Sequence, residues 1–415
     1  MLTSSRGALY HMIGSTFGLR LLAKPSVQLT VLWLLAVVIL MFRGLQFAAL
    51  SHQIQWGYDY SAYWTAARLL LEGMSPFTAM QLAGPYSPQQ QFLYLYPPAL
   101  AAFVTPLSWA IPDAYRVAAW VWNAVAAMVL IVSVLALHRS EGLGEASKGL
   151  AGRGRWLLLA AAFAFPPVIG ELVLGNVHLV LLGLLTLAWL GVRRGDGRGE
   201  WVAGIAVGAA AIIKVFPGLL LLWFLMTRRY RAAAAVLVGA AVLALVTLPI
   251  TGIEPWLQYP TVLANLSAPS NTTDTLAPTV WLAEIVGFTA ARIIVTLIGV
   301  ALVAWAAFRL DATRSFAISV AVSVLVAPAV YHHYLALLVL PLILGLSAGV
   351  PIRWLAPAYL LMWGGQQVAF GDLAWIVNRG MPTAGAALLL VGLAIGGRNR
   401  VPPRTRTTEA VRAPA

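Results

Sequence analysis

The sequence contains no cysteine. That excludes disulfides, thiol nucleophiles and thiolate metal sites. Charge is scarce as well: 10% of the 415 residues are Asp, Glu, Lys or Arg, where soluble domains carry about 25%. Acids are the scarcer sign, with 14 in the whole chain. No phosphate-cradling GxxxxGK[ST] loop occurs, and no HExxH zinc signature. A nucleotide-driven enzyme needs a soluble fold to hold its nucleotide, and no such segment stands out. Internal repeats are not evident either, which weighs against the inverted-repeat plan of many secondary transporters.

What is present is apolar sequence, 60% of the chain. It comes in runs near the ~20 residues that a helix needs to cross a bilayer. The runs cover 27–48, 97–112, 114–137, 156–173, 177–192, 201–226, 231–250, 290–308, 315–329, 333–348, 352–368 and 381–397. They are continuous rather than alternating, so the expected fold is an all-α, polytopic integral membrane bundle. The first run is too long for a signal-peptide core and is read as a retained span. The formal charge of +13 is then a matter of loop retention on one side, not of nucleic-acid binding.

Two runs are awkward. Segment 97–112 is framed by Pro97, Pro98 and Pro112, and 201–226 is interrupted by Lys214 and Pro217. If both dip into the membrane and return as half-helix pairs, the charges sort themselves. Every Lys and Arg except Arg43, Arg68, Arg116, Lys214, Arg292 and Arg379 then falls on one side, the cytoplasmic one. The count becomes about 11 or 12 transmembrane or half-membrane helices. Residues 1–397 form one membrane domain with outer loops at 49–96 and 251–289. Residues 398–415 form a basic, Pro-rich disordered cytoplasmic tail.

On the outer side, "QWGYDYSAYWTAA" places Asp59 among Trp56, Tyr58, Tyr60 and Tyr63. Asp59 is either a first-turn helix acid favoured by the macrodipole or a functional carboxylate. The aromatics either stack on sugar faces or form an interfacial belt, and the belt is preferred for at least two of them. Glu171, Asn176, His178, His332 and His333 fall on the same side, and Lys214 at the apex of its dip reaches the same depth. Ionisable groups at membrane level are functional candidates by default. One carboxylate suits a general base acting on a hydroxyl, and cationic neighbours suit a leaving phosphate. Outside the cytosol the usual activated sugar is lipid-linked, and a lipid phosphate enters between helices. A metal site is not expected, because no close His/acid spacing supports one.

Four stretches carry a resemblance: "YDYSAYWTAARLLLEGMSPF", "FLYLYPPALAAFVTPLSW", "GNVHLVLLGLLTLAWL…IKVFPG" and "LVAPAVYHHYLALLVLPLI". In that order they resemble glycosyltransferase family 87, polyprenol-phosphate-mannose-dependent α-mannosyltransferases of the GT-C type. The resemblance implies a GT-C-like bundle and single displacement with inversion, without a metal or other cofactor. It makes Asp59 the general base; Asp274 in "PSNTTDT", another outer acid among hydroxyls, is the rival on position alone. It matches His332 or His333 to the family's histidine, although "APAVYHH" departs from the family pattern at Ala327 and Tyr331. Lys214 matches the family's K-x-x-P-like lysine, and it is expected to help bind phosphate. Asn176 and His178 correspond more loosely, and Tyr63 and Arg68 complete the expected substrate-binding set. The implied partners are a polyprenyl-phospho-mannose donor and a glycolipid acceptor, a phosphatidylinositol mannoside or related lipoglycan, joined by an α-1,2 linkage. The implied place is the plasma membrane, multi-pass, with the site outside. The alternatives are the same chemistry with another sugar such as arabinose, and a transporter or lipid flippase.

Overall fold

A computed structural model of the chain describes residues 25–53, 56–84, 93–143, 154–266, 275–365, 374 and 376–396. The described residues form helices and no strands, as the unbroken apolar runs require. In order these are α1 (Pro25–Leu50), α2 (Tyr58–Leu71), α3 (Ala79–Ala83), α4 (Pro98–Ala110), α5 (Tyr115–Ser140) and α6 (Gly154–Ala164). Next come α7 (Pro166–Leu174), α8 (His178–Arg194), α9 (Gly197–Ile213), α10 (Leu220–Met226), α11 (Tyr230–Thr251) and α12 (Glu254–Leu266). The last are α13 (Pro278–Val286), α14 (Phe288–Arg309), α15 (Ala312–Leu325), α16 (Val339–Ser347), α17 (Ile352–Leu361) and α18 (Met381–Ile395).

Five helical stretches are each long and apolar enough to cross a membrane: Thr30–Leu50, Tyr115–Ser140, Tyr230–Thr251, Phe288–Arg309 and Ile376–Ile395. Their outward residues are apolar, as lipid contact requires; Leu34, Met41 and Leu45 of α1 are more than 60% exposed. The other apolar runs make shorter helices, including α4, α15 and His332–Ser347. The run at 156–173, expected as one span, is broken into α6 and α7 with a 60° bend. The cause is local. Pro166 opens α7, and the residue before it, Phe165, is extended at φ −70°, ψ 115°. The carbonyls freed at the bend find donors on other helices. Arg43 Nε donates to Ala164 O at 3.3 Å and Tyr359 OH to Ala161 O at 2.7 Å.

The basic loops meet at one end of the bundle. Arg193 pairs with Glu141 at 3.2 Å, Arg229 with Glu200 at 3.8 Å, and Trp223 Nε1 donates to Ser315 at 3.1 Å. Helices α9 and α11 run parallel. Gly204 lies against the backbone of Ala232, and Gly208 against that of Val236, at a constant offset. Close backbone approach through small residues is the usual means of packing helices in lipid. Because α9 and α11 start at the same end, the segment between them must return to that end. It enters as α9, breaks at Lys214 with extended φ −152°, ψ 126°, and leaves through a 3-10 turn (Phe216–Leu219) and α10. The 201–226 segment therefore runs out as α9 and returns as α10, joined at the break after Ile213.

Segment 97–112 differs from its expectation as a half-helix pair: Pro98–Ala110 is one continuous helix, α4, and Leu93–Pro97 before it is not helical. Tyr94 OH donates to Pro97 O at 2.5 Å and accepts from Ala101 N at 2.8 Å, which caps the outgoing helix α4. The tail 398–415 and Asp274 lie outside the described residues.

Candidate functional site

At the end of the bundle opposite the basic loops, two glycines in the left-handed region bring two chain turns together. Gly57 (φ +67°) opens α2, and Gly175 (φ +66°) closes α7. Gly57 N donates to Val173 O at 2.8 Å. A Cβ on Gly175 would come within 2.8 Å of Tyr60 Cβ. Only glycine meets both demands, a positive φ and no side chain. This junction sets Asp59, in the first turn of α2, beside Asn176.

Asn176 is the hub. Its Oδ1 accepts from Val177 N at 2.6 Å and from Tyr63 OH at 3.0 Å. Those two donors fix the amide, so Nδ2 must donate. Nδ2 reaches Asp59 Oδ2 at 2.7 Å and lies 3.1 Å from His333 Nε2 and 3.2 Å from Tyr96 OH. Trp122 Nε1 donates to Asn176 O at 3.1 Å and holds the turn from α5. Asn176 is thus not a cap for α8; it is bonded across four other segments.

Asp59 makes no capping bond. Its Oδ2 is 3.8 Å from His333 Nε2, and its side chain is 21% exposed. Among the described residues no hydrogen-bond donor reaches its other oxygen, Oδ1. Helix α2 lies outside the membrane-spanning helices, and removal from bulk water there raises the Asp59 carboxyl to about 6, with the Asn176 hydrogen bond and the Lys214 charge pulling the other way.

Behind Asp59 lies a second, closed layer. The Glu171 carboxylate accepts from the backbone N–H of His178, and its Oε2 is 2.9 Å from His178 Nδ1. Both side chains are wholly buried. On the far side of the ring, His178 Nε2 is 3.0 Å from Lys214 Nζ. The ammonium sits 3.8 Å from the Tyr334 ring centroid and 4.8 Å from that of Tyr96, a cation–π box. The break after α9 lets Lys214 point here instead of along a helix.

The structure therefore gathers Asp59, Tyr63, Asn176, His178, Lys214 and His333 into one constellation. His332 is turned away: its Nε2 is 2.9 Å from Met362 O, at the end of α17. The 3-10 turn that starts at His332 sends adjacent side chains apart, and only His333 faces Asp59. Arg68 also lies apart. It sits about 13 Å farther along α2, and its NH1 donates to Pro112 O at 3.3 Å. The interfacial-belt reading fails for Trp56, Tyr60 and Tyr63, which are buried at 4%, 0% and 0% exposure. They pack into the protein, Trp56 on Phe47 and Trp120, Tyr60 on Tyr115, Tyr63 on Tyr96. Sequence reasoning counted Glu171 among the membrane-level candidates without a specific role, and it did not single out Tyr96 or Tyr334. Glu171 had a signal, an acid inside the apolar "VIGELVL".

One atom each from Glu171, His178 and His333 fall within 4.8 Å of one another, a spacing that would admit a metal ion. Lys214 Nζ lies 3.0 Å from His178 Nε2 there, so that ring nitrogen already has a partner within the chain.

Comparison with known proteins adds the following. The sequence model of glycosyltransferase family 87 matches residues 94–341. An alpha-(1->3)-arabinofuranosyltransferase of Mycobacterium tuberculosis is 29% identical over 161 residues, 38% of this chain and 34% of that protein. A polyprenol-phosphate-mannose-dependent alpha-(1-2)-phosphatidylinositol mannoside mannosyltransferase of the same species is 27% identical over 252 residues, 59% of this chain and 55% of that protein. The alignments span about a third and about half the length of these relatives. The matched stretch includes Tyr96, Asn176, His178, Lys214 and His333; Asp59 precedes it.

Proposed function

This chain belongs to glycosyltransferase family 87, and from that premise we propose that it transfers a sugar from a polyprenyl-phosphate carrier to a hydroxyl of a glycolipid, with Asp59 as general base. One observation carries the reading. Asp59 has one oxygen held by Asn176, its other oxygen meets no donor among the described residues, and its side chain is partly exposed at the rim of the polar cluster. A carboxylate so placed accepts a hydroxyl proton and is itself aimed by a neutral amide.

The step balances simply. The acceptor oxygen attacks the anomeric carbon on the face opposite the phosphate, and its proton passes to Asp59 Oδ1. The bond from the anomeric carbon to the phosphate oxygen breaks, and the polyprenyl phosphate leaves with the electron pair. The configuration inverts, so a β-linked donor gives an α-glycoside. Lys214, with N–H donors beyond the one given to His178, and His333 are the groups that stabilise charge on the departing phosphate. The site opens on the outer face of the plasma membrane, and the tail is cytoplasmic.

Mannose is the sugar we assign, with a phosphatidylinositol mannoside or related lipoglycan as acceptor and an α-1,2 linkage. The similarity to a mannosyltransferase that depends on polyprenol-phosphate-mannose supports this over the longer alignment. The similarity to an arabinofuranosyltransferase supports arabinose as the second reading. Purified protein in lipid nanodiscs, given labelled polyprenyl-phospho-mannose or polyprenyl-phospho-arabinose and a glycolipid extract, decides between them. Labelled glycolipid from mannose alone upholds the assignment. Product from arabinose alone replaces the sugar, and product from neither removes the proposed reaction.

A further inference from the structure

With Lys214 charged, the layer behind Asp59 has one consistent arrangement of protons. An ammonium has three donors and no lone pair, so the atom 3.0 Å from Lys214 Nζ, His178 Nε2, must accept. A neutral imidazole that accepts at Nε2 carries its proton at Nδ1. Nδ1–H then donates to Glu171 Oε2 at 2.9 Å. The other oxygen, Oε1, is taken by the backbone N–H of His178. Every polar atom of the three side chains that faces another is matched, and each match forces the next.

We propose that Glu171 and His178 are positioning residues. They hold the Lys214 ammonium against the Tyr96 and Tyr334 rings, with its remaining N–H donors turned to the donor phosphate. Neither residue touches substrate. Glu171 is wholly buried, as is His178, so neither is reachable for chemistry on the sugar. Without the relay, an isolated lysine on a broken helix has four rotatable side-chain bonds and no fixed aim. With it, one N–H is tied down and the others are directed. The role in donor binding rests on the reaction proposed above; the proton arrangement does not.

Glu171→Gln separates these ideas. The backbone N–H of His178 keeps the glutamine oxygen at the Oε1 place, which leaves the amide NH2 facing Nδ1. Nδ1 must then accept, and the ring proton moves to Nε2, where it confronts Lys214. Glu171→Asp retains a carboxylate and serves as the conservative control. Solid-state NMR of the full chain in lipid, with 15N-labelled imidazoles, reads the tautomer of His178. Its signal among the six histidines is identified by its loss in His178→Gln. Steady-state kinetics with the active polyprenyl-phospho-sugar give KM and kcat for the donor.

The expected result is an Nδ1–H tautomer in the wild type and an Nε2–H tautomer in Glu171→Gln. The donor KM rises about 10- to 100-fold in Glu171→Gln, the weight of one charge-assisted contact. The acceptor KM stays level, and Glu171→Asp recovers part of the loss. An Nε2–H or doubly protonated His178 in the wild type overturns the proposal. So does an unchanged donor KM in a Glu171→Gln protein whose tautomer has switched. If the wild type transfers no lipid-linked sugar, the proposed function fails, and the relay stands or falls on the tautomer alone.

Discussion

Asn176→Asp is a nearly isosteric change with a calculable consequence. Asp keeps the oxygen that receives Val177 N–H and Tyr63 OH at 2.6 and 3.0 Å, so the turn and its packing survive. It replaces the donor Nδ2 with a second oxygen 2.7 Å from Asp59 Oδ2. Two carboxylates in that position share a proton. With charge centres about 4 Å apart and an effective dielectric of about 20, their repulsion is about 4 kcal/mol. At 1.36 kcal/mol per pH unit, that is about 3 units. The Asp59 carboxyl begins at about 6 in the wild type. The base must be deprotonated to act, so wild-type transfer falls as pH drops through about 6. In Asn176→Asp that acid limb moves up by about two to three units, because the singly protonated pair is a weak base. The assay is transfer of labelled sugar from the polyprenyl-phosphate donor, with kcat/KM measured from pH 5 to 10. Activity at pH 7 drops about 10- to 100-fold and recovers toward the alkaline side. An acid limb that stays in place, at any residual rate, refutes the reasoning that ties Asp59 to Asn176.

Other perturbations read other parts of the site. Gly175→Ala forces a side chain into the left-handed region and against Tyr60 Cβ at 2.8 Å; together these cost about 2–4 kcal/mol, which lowers the unfolding temperature in detergent. An unchanged unfolding temperature contradicts the junction described here. His333→Asn lowers kcat/KM about 100-fold, whereas Arg68→Ala stays within about threefold of wild type in the same assay. Equal losses from the two would mean that Arg68 folds back on the site. Tyr359→Phe removes the donor to Ala161 O at the α6–α7 bend; it destabilises by about 1 kcal/mol, read by thermal unfolding.

The membrane class was legible because lipid leaves a chain little choice: a continuous apolar run becomes a helix. The out-and-back path of 201–226 was legible from charge, since only a return places "RRGDGRG" and "TRRYR" together. The bend after Ala164 was written in Pro166 and Pro167, but the run is apolar on both sides of them and reads as one span. The choice between His332 and His333 was not legible. It depends on a 3-10 start whose partner, Met362, is far along the chain. The role of Glu171 was hidden for a related reason. Its partner His178 is seven positions away across a chain reversal at Gly175, so no helical spacing marks the pair. The buried aromatics misled because composition cannot tell a tyrosine facing lipid headgroups from one facing α5.

The account rests on one carboxylate as proton acceptor, and Asp59→Asn tests it most directly. Asn keeps the shape and a hydrogen-bonding oxygen for Asn176, but it cannot take a proton at neutral pH. Wild-type and Asp59→Asn proteins are to be compared at equal abundance and equal unfolding temperature, with labelled polyprenyl-phospho-mannose and a glycolipid acceptor. The prediction is product from the wild type and a loss of at least about 1000-fold in kcat for the variant, with the donor KM little changed. Comparable product from both would contradict it and leave Asp59 a structural acid.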